Sequence, residues 1–438
     1  MSKKIGIFGL GKSGIASATY FRNKGYDVYV WDDSEESRNG FDVINTVKIE
    51  TEKWPWNELS ALVLAPGIPL LYPAPHGVVA TANKHNVEVI CDIEILMRDA
   101  GKKAKFIGIT GTNGKSTTTA LLYHVLKECG VSAQMGGNIG IAALSLNAGK
   151  DDVFVLEVSS YQIDLLKKAK FNVAVLLNIT PDHLDRYGPF ENYVNSKKAI
   201  FNNQNEEDVA IVCVDQIVTN KISKDLEKGS HANLITYVTD GSILKNHEFS
   251  NLPGEHNKQN IIAAYLAAKC FVKDESKILA AIRSFHGLPH RIENVFENAK
   301  IKFINDSKAT NAEATEPAMK TFDNIYWMAG GVPKEGGITL LEKYKDKIKY
   351  AYFYGQAGPD FAETYKSWGM VNYNLVKTFD EAFAGIAAKA MENSRTSYKQ
   401  CIVMLSPCCA SFDEFNNYEH RGAHFKELAL KFAKDNGL

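Results

Sequence analysis

A glycine-rich stretch, GITGTNGKSTTT at residues 108–119, constrains the fold of this chain more than any other feature. It follows the apolar run KFIGIT and leads into KSTTTALLYHVLKECG, whose apolar residues recur at helical spacing up to Gly130. A strand, a glycine turn and a helix in this order favour phosphate binding, because backbone N–H groups at a helix start attract anions. Gly111 and Gly114 give the turn the backbone freedom that it needs. We therefore expect an α/β sheet with a phosphate site here.

The loop differs from the usual phosphate-loop pattern at one position. The pattern G-x-x-x-x-G-K-[ST] requires a glycine where this chain has Ile109. The loop by itself leaves two interpretations open: a nucleotide site, or a glycine-rich turn without a ligand. In a nucleotide site, Lys115 contacts the β- and γ-phosphates and the Ser116 hydroxyl binds Mg²⁺.

Composition and charge exclude several classes of protein. With 438 residues, 45% hydrophobic and 23% charged, the chain has the composition of a globular protein of two to four domains. The net charge of -1 and the dispersed lysines and arginines argue against a nucleic-acid partner. We recognise no secretory signal and no run that approaches the roughly 18 apolar residues of a membrane span. Seven cysteines without C-x-x-C spacing predict a reducing, cytoplasmic setting.

Three α/β units are indicated by the places where apolar strand-like runs and glycine turns restart. We predict three domains, at residues 1–93, 94–290 and 291–438. The predicted strands are IGIFG, YDVYVWDD and ALVLAPGIP in the first unit, KFIGIT, DVFVLEVSS and FNVAVLLNIT in the second, and IKFINDS, NIYWMAGG, YAYFYG and CIVMLSP in the third.

Polar residues follow the predicted strands of the second unit. Glu157 ends DVFVLE, where an acid can reach Mg²⁺ at the glycine loop. His183 follows the next strand, within TPDHLD. This segment is either simply the start of a helix, or it places His183 close to a second cation or to the reacting carboxylate. Lys197 and Lys198 lie about 100° apart on a predicted helix, so only one of them can face the site. Two solvated lysines are the alternative.

The N-terminal GLGKSG, residues 9–14, is a second glycine signal. It lies between a strand and a helix, and Asp32 and Asp33 end the next strand, as in dinucleotide-binding folds. A nicotinamide-dependent oxidoreductase is therefore one hypothesis. The other is that the same backbone binds the diphosphate of a nucleotide conjugate such as a UDP-sugar.

Further motifs occur in a fixed order along nearly the whole chain. After GLGKSG come APGIP (65–69), TGTNGKSTTT (110–119), GGNIG (136–140), EVSSYQ (157–162), NITPDHLDRYG (178–188), Y-x-x-x-K (193–197), GEHNKQN (254–260), LPHR (288–291), NDSKATN (305–311) and SPCCASFDEFNNYEHRG (406–422). Together they resemble the Mur ligase family, ATP-dependent amide-bond enzymes of peptidoglycan synthesis. That family uses T-G-T-x-G-K-[ST], which accounts for Ile109.

The resemblance implies a Rossmann-like UDP-binding domain, a central P-loop ATPase-like domain and a Rossmann-like C-terminal domain. It implies ligation of D-glutamate to UDP-N-acetylmuramoyl-L-alanine through an acyl phosphate, by a cytoplasmic monomer that uses ATP and two Mg²⁺ ions. The D-glutamate assignment rests on NDSKATN and SPCCASFD, and Tyr418 replaces the phenylalanine usual in the family. The alanine-adding and folate-linked glutamate ligases and a P-loop regulatory module are the alternatives.

The resemblance also implies the site residues, motif by motif. Those expected at the UDP-linked substrate are Gly9, Gly11, Ser13, Gly14, Asp32, Gly67, Asn138 and Gln162. Those expected at ATP are Gly111, Thr112, Asn113, Gly114, Lys115, Ser116, Thr117, Asn257, Asn260, Arg291 and Asp306. Those expected at the metal ions are Ser116, Glu157, His183 and a carbamylated Lys197, with Lys198 as the alternative lysine. Those expected at D-glutamate are Lys308, Thr310, Lys334, Ser411 and Phe412. The implied catalytic residues are Lys115, Asn138, His183 and Lys197.

Overall fold

Three separate β-sheets organise the chain, which confirms the predicted α/β fold. The computed structural model describes residues 3–147, 152–229 and 232–438, apart from residues 242, 246, 248, 250, 251, 253 and 335. Every strand predicted from the sequence lies in one of these sheets. In the part of the chain that the structure describes, no helix combines the length and the apolar character needed to cross a membrane.

The first sheet has five parallel strands in the order β3-β2-β1-β4-β5. The winding reverses between β1 and β4, and ligands of such sheets bind in the crevice at the carboxyl ends of the strands flanking that point. Its elements are β1 Lys4–Phe8, α1 Lys12–Asn23, β2 Asp27–Trp31, α2 Glu35–Asn39, β3 Val47–Lys48, β4 Leu59–Leu64, α3 Gly77–Lys84 and β5 Val89–Ile90.

The second sheet has six parallel strands in the order β11-β10-β9-β6-β8-β7. The glycine loop follows β6, so the ends of β8 and β9 lie on either side of it. The elements are α4 Asp92–Ala100, β6 Lys105–Thr110, α5 Lys115–Glu128, β7 Ala133–Gly137, β8 Val153–Glu157, α6 Ser160–Ile163, β9 Val173–Leu176, α7 Leu184–Tyr187, α8 Phe190–Lys198, β10 Val209–Cys213, α9 Ile217–Gly229, β11 Asn233–Tyr237, α10 Glu255–Lys269 and α11 Glu275–Ser284.

The third sheet has the order β12-β13-β17-β14-β15-β16 and is parallel except for β12 against β13. Apolar clusters cover both of its faces. Its elements are β12 Glu293–Glu297, β13 Ile301–Asn305, α12 Ala312–Thr321, β14 Ile325–Gly330, β15 Ile348–Tyr354, α13 Gly358–Ser367, β16 Tyr373–Leu375, α14 Phe379–Ser394, β17 Cys401–Leu405 and α15 Tyr418–Asp435.

The first two sheets share one apolar core, whose members range from Ile5 in β1 to Leu226 in α9. Accordingly, the chain divides into two compact units, the first made of residues 1–248 and 257–283 and the second of 249–256 and 284–438. The first unit therefore contains both glycine-rich loops.

Glu94, on α4, fixes the connection between the first two sheets. Its buried carboxylate accepts three backbone N–H groups, from Lys167, Lys168 and Ala169, at 2.9, 2.9 and 3.0 Å. The Nε of Arg98 donates to the same carboxylate at 2.6 Å. Since four donors satisfy the buried charge, α4 is held firmly to the turn that precedes β9.

Candidate active site

The glycine loop of the second sheet is held in shape by Asn178, which follows β9. The Asn113 N–H donates to Asn178 Oδ1 at 2.8 Å, and Asn178 Nδ2 donates back to the Asn113 carbonyl at 3.1 Å. The Thr112 N–H donates to the Asn178 carbonyl at 2.8 Å. Gly114 has φ +86°, and a Cβ there would collide with the Asn260 side chain. Only glycine suits that position, because the Asn260 side chain lies directly beside the loop.

Lys115 begins α5 and turns back over the loop. Its Nζ donates to the carbonyls of Gly111 and Thr112, at 2.9 and 2.8 Å. Ser116 and Thr117 are buried in the first helical turn. The loop thus combines a positive charge, a hydroxyl and a helix N-terminus, which is the set of groups that binds a nucleotide phosphate.

Glu157, at the end of β8, presents a buried carboxylate beside the loop and is only 3% exposed. Its Oε1 accepts a hydrogen bond from Asn138 Nδ2 at 2.8 Å. Within the residues that the structure describes, the buried Oε2 has no hydrogen-bond partner. A buried acceptor without a partner is costly, and a hard cation would satisfy it. The unpartnered carboxylate oxygen of Glu157 therefore suits a hard cation such as Mg²⁺.

The two adjacent lysines of α8 point in different directions. Lys197 is buried, and its Nζ donates to the Gly111 carbonyl at 2.9 Å. The Nζ of Lys198 pairs instead with Asp225 at 2.6 Å, at the surface. Lys197 is therefore the lysine that faces the glycine loop.

The surroundings of Lys197 disfavour its charged form. Burial, and then the nearby charge of Lys115, lower the pKa of Lys197 to about 7. The Nζ lies 4.6 Å from the centre of the Tyr193 ring. The lowered pKa favours the uncharged amine, which is the form that can act as a nucleophile.

His183 precedes α7 with a left-handed backbone, φ +53°. Its ring lies 5.1 Å from the Tyr161 ring and 6.1 Å from the Tyr193 ring. The imidazole is 44% exposed, and its Nε2 is 3.5 Å from an oxygen of Asp182. The ring is therefore accessible to a ligand and shares the neighbourhood of Tyr193 with Lys197.

Gln162, expected at the UDP-linked substrate, has a structural contact of its own. Its Oε1 accepts hydrogen bonds from the backbone N–H and the hydroxyl of Ser159, each at 3.0 Å, in a capping box at the start of α6. This pairing fixes the turn that directly follows Glu157.

The first glycine loop lies at the switch point of the first sheet. Gly9 has φ +96°, and a Cβ at Gly9 would collide with Ala65 after β4. A Cβ at Gly14 would collide with the Gly9 carbonyl, so α1 packs closely on the loop. The Leu10 N–H donates to Asp32 Oδ2 at 2.7 Å. Asp32 therefore helps to shape the loop, with Gly11 and Ser13 at the start of α1.

In the third sheet, Asp306 is a buried acid that follows β13. Its oxygens accept hydrogen bonds from the Ser406 hydroxyl at 2.7 Å and from the Ile292 N–H at 3.1 Å. Burial raises the pKa of Asp306 to about 7, against the opposing effects of the hydrogen bonds from Ser406 and Ile292 and of the charge of Arg291. The carboxylate is thus held in place at an energetic cost.

We expect Asp306→Asn to stabilise the unit that contains the third sheet at pH 8 by an amount on the order of 2 kcal/mol. The carboxyl titrates near 3.9 when unfolded and at about 7 when folded, so its penalty grows as the pH rises from about 4 to 7. Ser406 can accept from the new amide while it donates to Thr315, 2.9 Å away. Thermal unfolding should show a higher Tm at pH 8 and little change at pH 4. An equal gain at both pH values would contradict this explanation.

The residues expected at D-glutamate lie in the same compact unit as Asp306. Lys334 Nζ donates to Thr310 Oγ1 at 3.2 Å, which brings these two together. Lys308 Nζ lies 5.7 Å from the centre of the Tyr418 ring. Ser411 is buried, whereas the adjacent Phe412 is 73% exposed.

Sequence reasoning missed Arg421, although its motif was among those quoted above. The guanidinium is fully buried and donates to Ser307 Oγ and to the carbonyls of Ser307 and Cys409, at 2.9–3.0 Å. It also donates to the Ala410 carbonyl at 3.3 Å. Arg421 therefore ties the segment before Lys308 to the segment before Ser411. A polar residue inside an otherwise apolar helix face is the signal that could have revealed it.

Comparison with known proteins places this geometry in a family. The Mur ligase middle domain matches residues 109–268, and the N-terminal domain of the MurD-like Mur ligases matches residues 3–91. The UDP-N-acetylmuramoylalanine-D-glutamate ligase of Rickettsia prowazekii is 41% identical, over 99% of this chain and 98% of its own. The enzyme of the same name from Rhodospirillum rubrum is 40% identical, over 98% and 94%. In fold alone, the chain is similar to the UDP-N-acetylmuramate-alanine ligase of Thermotoga maritima, with a TM-score of 0.58, 17% identity and coverage of 98% and 99%.

Proposed function

We infer the function from this premise: the chain belongs to the Mur ligase family, whose members use ATP to form amide bonds. Its reaction is the ligation of D-glutamate to UDP-N-acetylmuramoyl-L-alanine in peptidoglycan precursor synthesis. The observation that carries this conclusion is the match to D-glutamate ligases over almost the full length of both chains. Family membership selects the ligase over the oxidoreductase and the regulatory module considered above.

The first step makes the substrate carboxylate a better acyl donor. In the proposed chemistry, an oxygen of the alanyl carboxylate attacks the γ-phosphorus of ATP, the bond to the β-phosphate oxygen breaks, and an acyl phosphate and ADP form. Lys115 and the N–H groups of the glycine loop would neutralise charge on the transferred phosphoryl group. Mg²⁺, which Ser116 and Glu157 would hold, supplies charge neutralisation at the phosphate oxygens when bound.

Lys197 is proposed to act as a carbamate. Its buried amine faces the glycine loop, and carbamylation would replace an ammonium that repels cations with two oxygen atoms. The exposed imidazole of His183 would share with it the binding of a second cation. Asn138, already bound to Glu157, would orient both that carboxylate and the substrate.

The second step forms the amide. The uncharged amine of D-glutamate attacks the acyl carbon, the tetrahedral intermediate loses inorganic phosphate, and the amine proton passes to solvent or phosphate. Lys308, Thr310, Lys334 and Ser411 are proposed to bind the two carboxylates of D-glutamate, because cations and hydroxyls suit that charge, with Phe412 beside them.

The remaining proposed roles concern the UDP group and the nucleotide ATP. The loop of Gly9, Gly11, Ser13 and Gly14, with Asp32 and the Gly67 turn, is proposed to bind the UDP group, and Gln162 to line the same substrate. Asn257 and Asn260 would contact the adenine, and Arg291 and Asp306 the phosphates and ribose of ATP. We also propose that the enzyme acts as a monomer in the cytoplasm.

The test is phosphate release from MgATP, with UDP-N-acetylmuramoyl-L-alanine and D-glutamate each present or omitted, and with the product identified by mass. Release should require both substrates, and the product should gain the mass of one glutamate residue. Release without the amine, or only with another amino acid, would overturn the D-glutamate assignment.

A further inference from the structure

Arg186 joins two segments that come from different sheets. It lies on α7, where its N–H donates to the His183 carbonyl at 2.9 Å. Its Nη1 donates to the Gly67 carbonyl at 2.7 Å, in the turn that follows β4. The guanidinium also stacks on Tyr161, 4.8 Å from the ring centre. One side chain therefore connects the turn of Gly67 to the segment that carries His183.

The same two segments meet at a second point. Tyr72 ends the 66–72 loop, and its ring packs on Gly188, at the other end of α7. A Cβ at Gly188 would lie 2.9 Å from that ring, and the φ of Gly188 is +65°. Since both the contact and the backbone favour glycine, the 183–188 segment holds the 66–72 loop at both of its ends.

Between these two attachments, Ile68 and Leu70 pack against the core only in part. A cavity of about 400 Å³ lies beneath the loop, with Ile68 and Leu70 on one side and Leu165 and Ala199 on the other. Leu71 is 74% exposed. Close packing ordinarily fixes the position of a loop, and the cavity reduces that packing here, so the two end contacts contribute more to the position of the loop.

The chemistry of Arg186 supports a holding role. Its Nε is buried and, in the part of the chain that the structure describes, has no hydrogen-bond partner. A buried donor without a partner is costly, so stability alone does not explain the position of this half-buried side chain. Arg186 forms no salt bridge with any residue that the structure describes. Its short hydrogen bond goes to the Gly67 carbonyl.

We propose that Arg186 is a positioning residue for the UDP-linked substrate. The inference rests on the proposed function, in which the Gly67 turn helps to bind the UDP group and His183 lies near the reacting carboxylate. By linking the two, Arg186 sets the distance between the site for the nucleotide end and the site for the reacting end of one substrate. Small displacements of such groups cost a large part of the binding and the rate.

Arg186→Met tests the proposal, because methionine keeps the stem over Tyr161 and removes the donors. The KM for UDP-N-acetylmuramoyl-L-alanine should rise about tenfold, the effect of one charge-assisted hydrogen bond. The KM for ATP should stay within about twofold, because the hydrogen bonds of the glycine loop do not involve Arg186. Arg186→Lys, which restores one donor, should recover part of the loss.

Arg22→Met is the matched control. Arg22 also donates to a backbone carbonyl, that of Ile44 at 3.2 Å, but on an exposed part of the first domain. Its loss should leave both KM values unchanged. Equal changes in Arg22→Met and Arg186→Met would overturn the proposal, since a general loss of stability would then explain both.

Amide hydrogen exchange without ligands separates this inference from the proposed function. Exchange at Ile68, whose N–H donates to the Ala65 carbonyl at 3.0 Å, should be at least several times faster in Arg186→Met than in the wild type. If Arg186→Met does not fold, Tyr72→Ala, which removes the other attachment, should give the same exchange change and the same KM split. Wild-type exchange rates in the folded variants, or KM values for ATP that rise as much as those for the UDP substrate, would overturn the proposal. A wild type without ligase activity would overturn the proposed function instead.

Discussion

Replacing Glu157 with glutamine is expected to lower kcat for ligation on the order of a thousandfold. Glutamine has the same shape and still accepts the hydrogen bond from Asn138 Nδ2. The substitution removes only the negative charge, so the unpartnered Oε2 no longer offers a carboxylate to a cation. Steady-state kinetics over a range of Mg²⁺ concentrations should show that the variant needs more Mg²⁺ for half-maximal rate.

Asp152→Asn provides the matched control for this prediction. Asp152 is also a largely buried acid, but it precedes β8, at the opposite end from Glu157, where it accepts hydrogen bonds from Ser132 and Gln134. The activity of the Asp152→Asn enzyme should remain within about twofold of the wild type. A Glu157→Gln enzyme with nearly wild-type kcat and an unchanged Mg²⁺ requirement would contradict the metal-binding role.

Lys197→Ala is expected to reduce kcat by a similar factor, about a thousandfold, and to recover part of it when acetate is added. In the proposed enzyme the side chain ends in a carbamate, so alanine leaves a space that a small carboxylate can fill. The measurement is the rate of phosphate release at increasing acetate concentration, with chloride at the same ionic strength for comparison.

Lys198→Ala is the control in this case, since its side chain pairs with Asp225 away from the glycine loop. It should retain its activity and show no response to acetate. If Lys197→Ala keeps its activity, or if acetate and chloride act alike on the inactive variant, the carbamate role of Lys197 is wrong.

The sequence was sufficient for the parts of the fold that depend on local pattern. The strand before Gly111, the glycine turn and the helix from Lys115 lie where the apolar periodicity and the glycines predicted them, and α5 ends just before Gly130. The strands that it did not indicate include β3 and β5, of two residues each, β16, of three, and β7, β10, β11 and β12, of five each. The two-residue strands carry too little alternation to be distinguished from a loop.

The site was predictable only as far as motifs and strand ends go. Periodicity could say that one of Lys197 and Lys198 faces the sheet, and the fold decides for Lys197 because Asp225 lies on the other side. Asn178 was missed because its partner, Asn113, is 65 residues away along the chain. Its bonds to backbone groups leave no pattern in the sequence, since any residue can supply a backbone N–H.

The carboxylate of Glu94 has a consequence for inhibitor design. It accepts three N–H groups of the turn before β9 and so fastens α4 to the second sheet, in the compact unit that also contains the Gly67 turn and the glycine loop of Lys115. A ligand that spans both loops would therefore meet a receptor that is already arranged, and little of its affinity would be lost to ordering the two sheets. Linking a diphosphate mimic to a γ-phosphate mimic through a rigid spacer is a rational strategy against this part of the molecule.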